Sequence, residues 1–164
     1  MAEENLIAQI VVNAPAEAVF DVLADPSTHA AIDGTGWVQR ALEGGPVTGA
    51  GQIFRVAMYH EGHPNKHYEM ANLVEVFDKP RAIAWLPGTE PRHIPGRGDE
   101  DGPIEYGGWT WRYDLAPVDG GRTEVTLTYD WSRVPPDRRD IEFPPFDPQH
   151  LDNSLRHLAE LAES

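Results

Sequence analysis

The stretch Trp109-Thr110-Trp111-Arg112-Tyr113-Asp114-Leu115-Ala116-Pro117-Val118-Asp119-Gly120-Gly121-Arg122-Thr123-Glu124-Val125-Thr126-Leu127-Thr128-Tyr129-Asp130-Trp131 alternates apolar and polar residues on both sides of a turn signal. If Asp119-Gly120-Gly121 is a three-residue loop with a glycine in the left-handed position, Val118 pairs with Arg122 and the register is set. Leu115 then faces Val125, Tyr113 faces Leu127, Trp111 faces Tyr129 and Trp109 faces Trp131. The other face holds Arg112 opposite Thr128, Asp114 opposite Thr126 and Thr110 opposite Asp130. A two-residue Gly120-Gly121 turn would mix the two sets, so the alternation selects the longer loop. On the polar face Arg112, between Asp114 and Asp130, is expected to form a cross-strand ion pair. Such an exposed pair stabilises by about 0 to 1 kcal/mol and needs no functional role.

An apolar sheet face has to be covered, and the cover is legible at the C-terminal end of the sequence. Asp147 caps a first turn, Pro148 suits the first helical position, and the pattern continues to Ala162. At about 100° per residue Leu151, Leu155, Leu158, Ala159 and Ala162 share one face. Gln149, Asn153, Arg156 and Glu160 share the other. About 15 residues make a helix roughly 22 Å long, enough to cross a sheet. A curved sheet gripping this helix, with a ligand cavity between the two, is the expected arrangement. Ser154 lies about 60° from the leucine centre, on the strip that should graze such a cavity, unless it bonds back to its own helix. His150 and His157 lie further towards the edge.

Towards the N-terminus, residues 6–12 read as a strand rich in β-branched residues. Pro15 opens a short helix over residues 16–24, with Val19, Phe20 and Leu23 on its buried side. Asp25-Pro26 ends it and starts a second short helical turn running through His29 to Ile32. Strands are predicted near residues 37–42, 52–60, 67–77 and 82–86, and with the two of the hairpin they make a six-strand meander. No repeat or linker divides residues 1–164, so a single domain is predicted. Residues 87–106 and 133–146 are irregular, and the first stretch, about 20 residues long, exceeds the usual loop length.

Forty per cent hydrophobic and 24 per cent charged residues are ordinary for a globular protein. Thirteen Lys and Arg against 27 Asp and Glu give a formal charge of -14, which repels phosphate backbones and anionic membrane surfaces. No nucleic-acid partner is expected. No apolar run approaches the roughly 18 residues of a membrane span, and Met1-Ala2-Glu3-Glu4 does not begin as a basic leader, so a cytoplasmic location without membrane insertion is expected. The absence of cysteine excludes disulfides, thiolate metal sites and a cysteine nucleophile. No phosphate loop, nucleophile elbow or histidine-glutamate zinc motif is present, so neither cofactor nor metal is expected and a nucleophilic or metal-dependent hydrolase is disfavoured. His60, His63 and His67 flank Gly62, Pro64 and Asn65, and a solvated hairpin tip explains them better than a metal site. Asp99, Glu100 and Asp101 read as a solvated run.

The succession of one strand, two short helices, a six-strand meander and a long last helix resembles the START-like (SRPBCC, helix-grip) superfamily. Within it the chain is similar to the bacterial polyketide cyclase/dehydrase and lipid-transport group. The matching stretches are residues 10–26, then Val76-Phe77-Asp78-Lys79-Pro80-Arg81-Ala82-Ile83-Ala84-Trp85, then Trp111-Arg112-Tyr113-Asp114-Leu115 with Gly120-Gly121-Arg122-Thr123-Glu124-Val125-Thr126. The resemblance covers nearly the whole chain. It implies an α+β helix-grip fold in which a seven-stranded curved antiparallel sheet, with two short helices, holds the long C-terminal helix on its concave face. It also implies a hydrophobic or aromatic small-molecule ligand between sheet and helix, for a cyclase or dehydratase, a carrier, a sensor or a chaperone activator. Many relatives continue after the Asp-Pro pair to an aromatic about six residues later; here Ala31-Ile32-Asp33 stand there, and either Trp37 replaces that aromatic or the wall differs.

The candidate ligand-binding residues are Trp109, Trp111, Tyr113 and Tyr129 of the hairpin's aromatic face, with Tyr59, Trp85, His93 and Ser154. Trp131 belongs to the same face, and His93 stands in the long loop beside Arg92 and Arg97. No catalytic residue is assigned. Three functions follow in order: binding of a hydrophobic small molecule; a cofactor-independent cyclase or dehydratase using general acid or base catalysis; and a protein-interaction module of chaperone-activator type. The chain is expected to be a monomer or homodimer.

Overall fold

The computed structural model describes residues 4–42, 45–61, 66–91, 102–136 and 146–163. The first strand, β1 (Asn5–Val12), leads into helix α1 (Ala16–Leu23), a 3-10 turn (Pro26–Thr28) and helix α2 (His29–Asp33). Strands β2 (Val38–Ala41), β3 (Ile53–Tyr59), β4 (His67–Asp78) and β5 (Ala82–Thr89) follow. Then come β6 (Glu105–Tyr106), β7 (Thr110–Val118), β8 (Arg122–Asp130) and helix α3 (Gln149–Glu163). The strands form one curled antiparallel sheet in the order β1-β8-β7-β5-β4-β3-β2, with α3 packed on it. This is the α+β helix-grip fold that the sequence predicts. Sequence reading misses β6, two residues that pair with Gly88 and Thr89 of β5 and so draw one end of the long irregular stretch into the sheet.

The hairpin keeps the predicted register: Val118 pairs with Arg122, Leu115 with Val125, Tyr113 with Leu127 and Trp111 with Tyr129. Gly120 and Gly121 both take left-handed conformations, φ 77° and 73°, which a side chain would strain. The ladder ends at Thr110 and Asp130, short of Trp109 and Trp131. The expected cross-strand pair takes another form. Arg112 makes a two-pronged contact with Asp114, two residues along its own strand, with Nε 3.0 Å from Oδ2, while Asp130 accepts from the Ser132 amide and hydroxyl. Residues i and i+2 share a sheet face, so the nearer carboxylate on the same strand wins.

Alternation sorts every strand into an inner and an outer side. On the inner side Val12, Ile83, Tyr113, Leu115, Val125, Leu127 and Tyr129 join the core with Phe20 and Leu23 of α1. A bulge in β4 between Val74 and Val76 shifts the phase, so that Val74 and Phe77, three residues apart, both face inwards. Phe77 thereby meets Phe20 edge-on, with ring centroids 5.1 Å apart. Thr123 donates to the Ala14 carbonyl at 2.8 Å, tying β8 to the end of β1.

Helix α3 buries Leu151, Ser154, Leu155, Leu158 and Ala159, nearly the face the helical wheel selects, with Ser154 among the leucines. Its start is capped by Asp147, which accepts from the Gln149 amide at 2.9 Å. It packs on β1, α1, α2 and β8. The cost of truncating a fully buried leucine such as Leu158 is about 2 to 5 kcal/mol. No helix of the described residues is long and apolar enough to cross a membrane.

Candidate functional site

Two aromatic groups line the inner side of the sheet, and α2 joins them. The first forms around Trp85 of β5. His29, at the start of α2, stacks on it at 5.1 Å, Tyr113 stacks at 5.8 Å and Phe54 meets it edge-on at 5.6 Å. His29 is buried, and its Nε2 lies 2.9 Å from the Leu23 carbonyl. A carbonyl only accepts, so Nε2 carries the proton and Nδ1 keeps a lone pair. Burial lowers the pKa of His29 from its ordinary value, which keeps the ring neutral, and the same burial raises that of the Tyr113 phenol.

The second group forms where β7 and β8 meet the start of α3. Trp111 packs on Tyr129 at 4.6 Å and stacks on Phe146 at 5.6 Å, and Phe146 packs on Tyr129 at 4.9 Å. His150 enters from the first turn of α3, 5.1 Å from Phe146 and 6.2 Å from both Trp111 and Trp37. Trp37 donates its indole N–H to the Tyr68 hydroxyl at 2.6 Å. Trp131 closes the row beside Tyr129, at 5.8 Å.

Asp33, the last residue of α2, is the polar centre of this second group. Its Oδ2 accepts from the Thr35 amide and hydroxyl at 3.1 and 2.8 Å, from the Trp37 amide at 3.1 Å and from the Val38 amide at 3.2 Å. One carboxylate oxygen thus folds the α2–β2 corner around itself. The other, Oδ1, lies 3.6 Å from His150 Nε2. Burial lowers the pKa of His150, with His157 acting the same way and Asp33 opposing them. Burial also raises that of the Tyr68 phenol, helped by Asp33 and opposed by the indole hydrogen bond. Two turns along α3, His157 Nδ1 lies 2.9 Å from the Ile32 carbonyl, so α3 is tied to α2 by the His157 hydrogen bond, with His150 beside Asp33 two turns earlier.

The structure brings together Trp85, Trp109, Trp111, Tyr113 and Tyr129 in or against one core. Ser154 is buried on the same core-facing side of α3. Tyr113 and Tyr129 are almost wholly buried, 4% and 2% exposed, whereas Trp85, Trp109 and Trp111 stay half-buried. Tyr59 stands apart. It follows Phe54, Val56 and Met58 out of phase, and its ring meets His67 at 4.9 Å on the other side of the sheet. His60 and His67 are exposed, and His63 lies outside the described residues. His93, Arg92, Arg97, Asp99, Glu100 and Asp101 also lie outside the described residues. Asp33, Tyr68, Phe146 and His150 are the site members that sequence reading misses. The run Asp33-Gly34-Thr35-Gly36, an acidic residue followed by turn formers, is the signal that would have marked Asp33 as a backbone acceptor.

No protein-family model and no curated protein matches the sequence. Solved structures do match. The Zhui aromatase/cyclase from Streptomyces sp. R1128 superposes with a TM-score of 0.60 at 18% identity, over 97% of this chain and 93% of that one. A conserved protein from Geobacillus kaustophilus gives 0.62 at 17% identity, over 98% and 96%. A protein from Mycobacterium smegmatis gives 0.55 at 19% identity, over 97% and 85%. At these identities the likeness is one of fold, and the fold is the helix-grip fold.

Proposed function

We propose that the protein binds a hydrophobic or aromatic small molecule between α3 and the inner side of the sheet, against Trp85, Trp109, Trp111, Tyr113, Tyr129 and Ser154. The observation that carries this reading is the uneven burial of one aromatic surface. Trp85 and Trp111 remain half-buried although their inner-side neighbours Tyr113, Leu127 and Tyr129 are closed off. Large apolar rings that stay accessible beside a few fixed polar groups are what a small-molecule site requires. Native mass spectrometry of the purified chain, alone and with a panel of hydrophobic ligands, tests it. A bound species, together with quenching of tryptophan emission that weakens in Trp111→Leu, is the expected result. Neither effect with any member of the panel sinks the reading.

A second reading is a cofactor-independent cyclase or dehydratase, and His150 favours it. A neutral imidazole beside a carboxylate, bordered by Trp111 and Phe146, has the chemistry of a general base: it takes a proton from an enolisable carbon or a hydroxyl and returns it to a leaving hydroxyl as water departs. Asp33 would steady the imidazolium formed in between. The aromatase/cyclase among the structural neighbours lends this reading support. Incubation with a linear poly-β-ketone and chromatography of the products tests it; turnover that His150→Gln leaves unchanged removes His150 from the chemistry. The interaction-module reading has less support: the exposed large apolar side chains of the described residues are Ile7, Val11 and Val118, with no tryptophan or phenylalanine among them.

A further inference from the structure

Asp33 is the single Asp, Glu, Lys or Arg that is buried among the described residues, at 6% exposure. Its four hydrogen bonds all fall on Oδ2. Among the described residues Oδ1 has one polar neighbour in reach, the His150 imidazole 3.6 Å away, which is too far for a hydrogen bond, and no fully enclosed side-chain oxygen lacks a partner, so Oδ1 keeps an opening to solvent. Burial holds that imidazole towards its neutral form, so it does not supply a full countercharge. The cations of the described residues are engaged elsewhere or exposed: Arg55 pairs with Glu90 at 2.7 Å, Arg112 with Asp114 and Arg133 with Glu75. A carboxylate oxygen in a largely buried pocket, with no full countercharge beside it, attracts a cation placed against it more strongly than one in bulk water does.

The rings around His150, the neighbour of Oδ1, suit a cation of one kind. Trp37, whose own amide bonds to Asp33, and Trp111 and Phe146 hold their rings 5.1 to 6.2 Å from the His150 ring. Indole and phenyl faces attract ammonium groups and leave anions unsatisfied. The formal charge of -14 draws cations towards the molecule from a distance and repels anions. Resting on the small-molecule reading above, we propose that the site is selective by charge. It takes an aromatic or apolar amine, whose ammonium group donates to Asp33 Oδ1 among the rings of Trp37, Trp111 and Phe146, and it rejects carboxylates and phosphates. Fatty acids and acidic phospholipids are therefore not its ligands.

Calorimetric titration of the full chain at neutral pH with 2-naphthylmethylammonium, 2-naphthylmethanol and 2-naphthoate separates charge from shape, since the three share one ring system. The ammonium compound is expected to bind about tenfold or more tightly than the alcohol, with naphthoate the weakest. Asp33→Asn keeps an acceptor oxygen for the corner and should bring ammonium and alcohol to within about threefold of each other. Equal affinities in the unaltered chain, or naphthoate the tightest, overturn the charge proposal and leave the binding reading standing. If none of the three binds while other members of the hydrophobic panel do, the charge proposal alone fails; if the whole panel fails, the binding reading fails with it. The ranking in the unaltered chain decides the matter even where Asp33→Asn loses its fold.

Discussion

The β7–β8 hairpin and the α2–β2 corner each hold an aspartate and a left-handed glycine, and they use them in opposite ways. In the hairpin Asp114 faces water with Arg112 against it, 43% and 44% exposed, and Gly120 has open space around it, its nearest neighbour being Arg122 Nε at 3.8 Å. In the corner Asp33 is buried with four donors on one oxygen, and Gly34 lies under α3, where an added Cβ would come within 2.4 Å of the His157 ring. The hairpin is complete in itself. The corner is complete only with α3 in place, and it sets Asp33 and His150 beside the aromatic face that the hairpin supplies.

The comparison makes its largest prediction at the two aspartates. Asp33→Ala leaves four donors without their acceptor and should cost about 3 kcal/mol or more. Asp114→Ala should cost less than about 1 kcal/mol, both read from urea denaturation. Similar values for the two would erase the distinction between the regions. The glycines come next. Gly34→Ala has to adopt φ near 69° and push aside His157, whose ring is held by the Ile32 carbonyl, for a loss of roughly 2 to 3 kcal/mol. Gly120→Ala meets the conformational strain alone and should lose roughly 1 to 2 kcal/mol.

The third prediction concerns acid. His29 and His150 both have folded-state pKa values below the ordinary 6.5, and burial is the main cause in each. The unfolded chain therefore takes up protons near pH 6.5 that the folded chain still refuses, so stability is fully present above that pH and is lost as pH falls towards the folded values. Thermal melts in acid should fall more gently when both histidines are replaced by Gln, and an unchanged slope would assign the acid sensitivity to other groups. The smallest effect belongs to the hairpin: Arg112→Ala should shift stability by no more than about 1 kcal/mol, and by less as salt is added.

The hairpin was legible because its determinants are close in sequence. Alternation over residues 109–131 and a turn of Asp119-Gly120-Gly121 leave one register that separates apolar from polar. The buried face of α3 was legible for the same reason, since Leu151, Leu155 and Leu158 recur within the helix itself. The corner was not. His150 reads as an edge residue until α2 is known to lie beside it, and Asp33 reads only as part of Ala31-Ile32-Asp33, a stretch without the aromatic that the resemblance leads one to expect. Trp37 and Tyr68 stand 31 residues apart and meet through one hydrogen bond that no local pattern encodes. Tyr59 shows the opposite error: its aromatic character suggested the interior, but its phase relative to Phe54 and Val56 turns it to the other side.

The pairing of β1 with β8 carries a kinetic consequence. Asn5 meets Asp130 and Val12 meets Thr123, so this ladder cannot form until more than a hundred intervening residues have been brought into a compact arrangement. The β7–β8 hairpin, whose turn spans three residues, can close on the order of microseconds. The first strand is therefore expected to dock late, onto a hairpin already built. Refolding should be governed by this long-range closure, at roughly milliseconds to seconds, and substitutions along β1 should speed unfolding more than they slow folding.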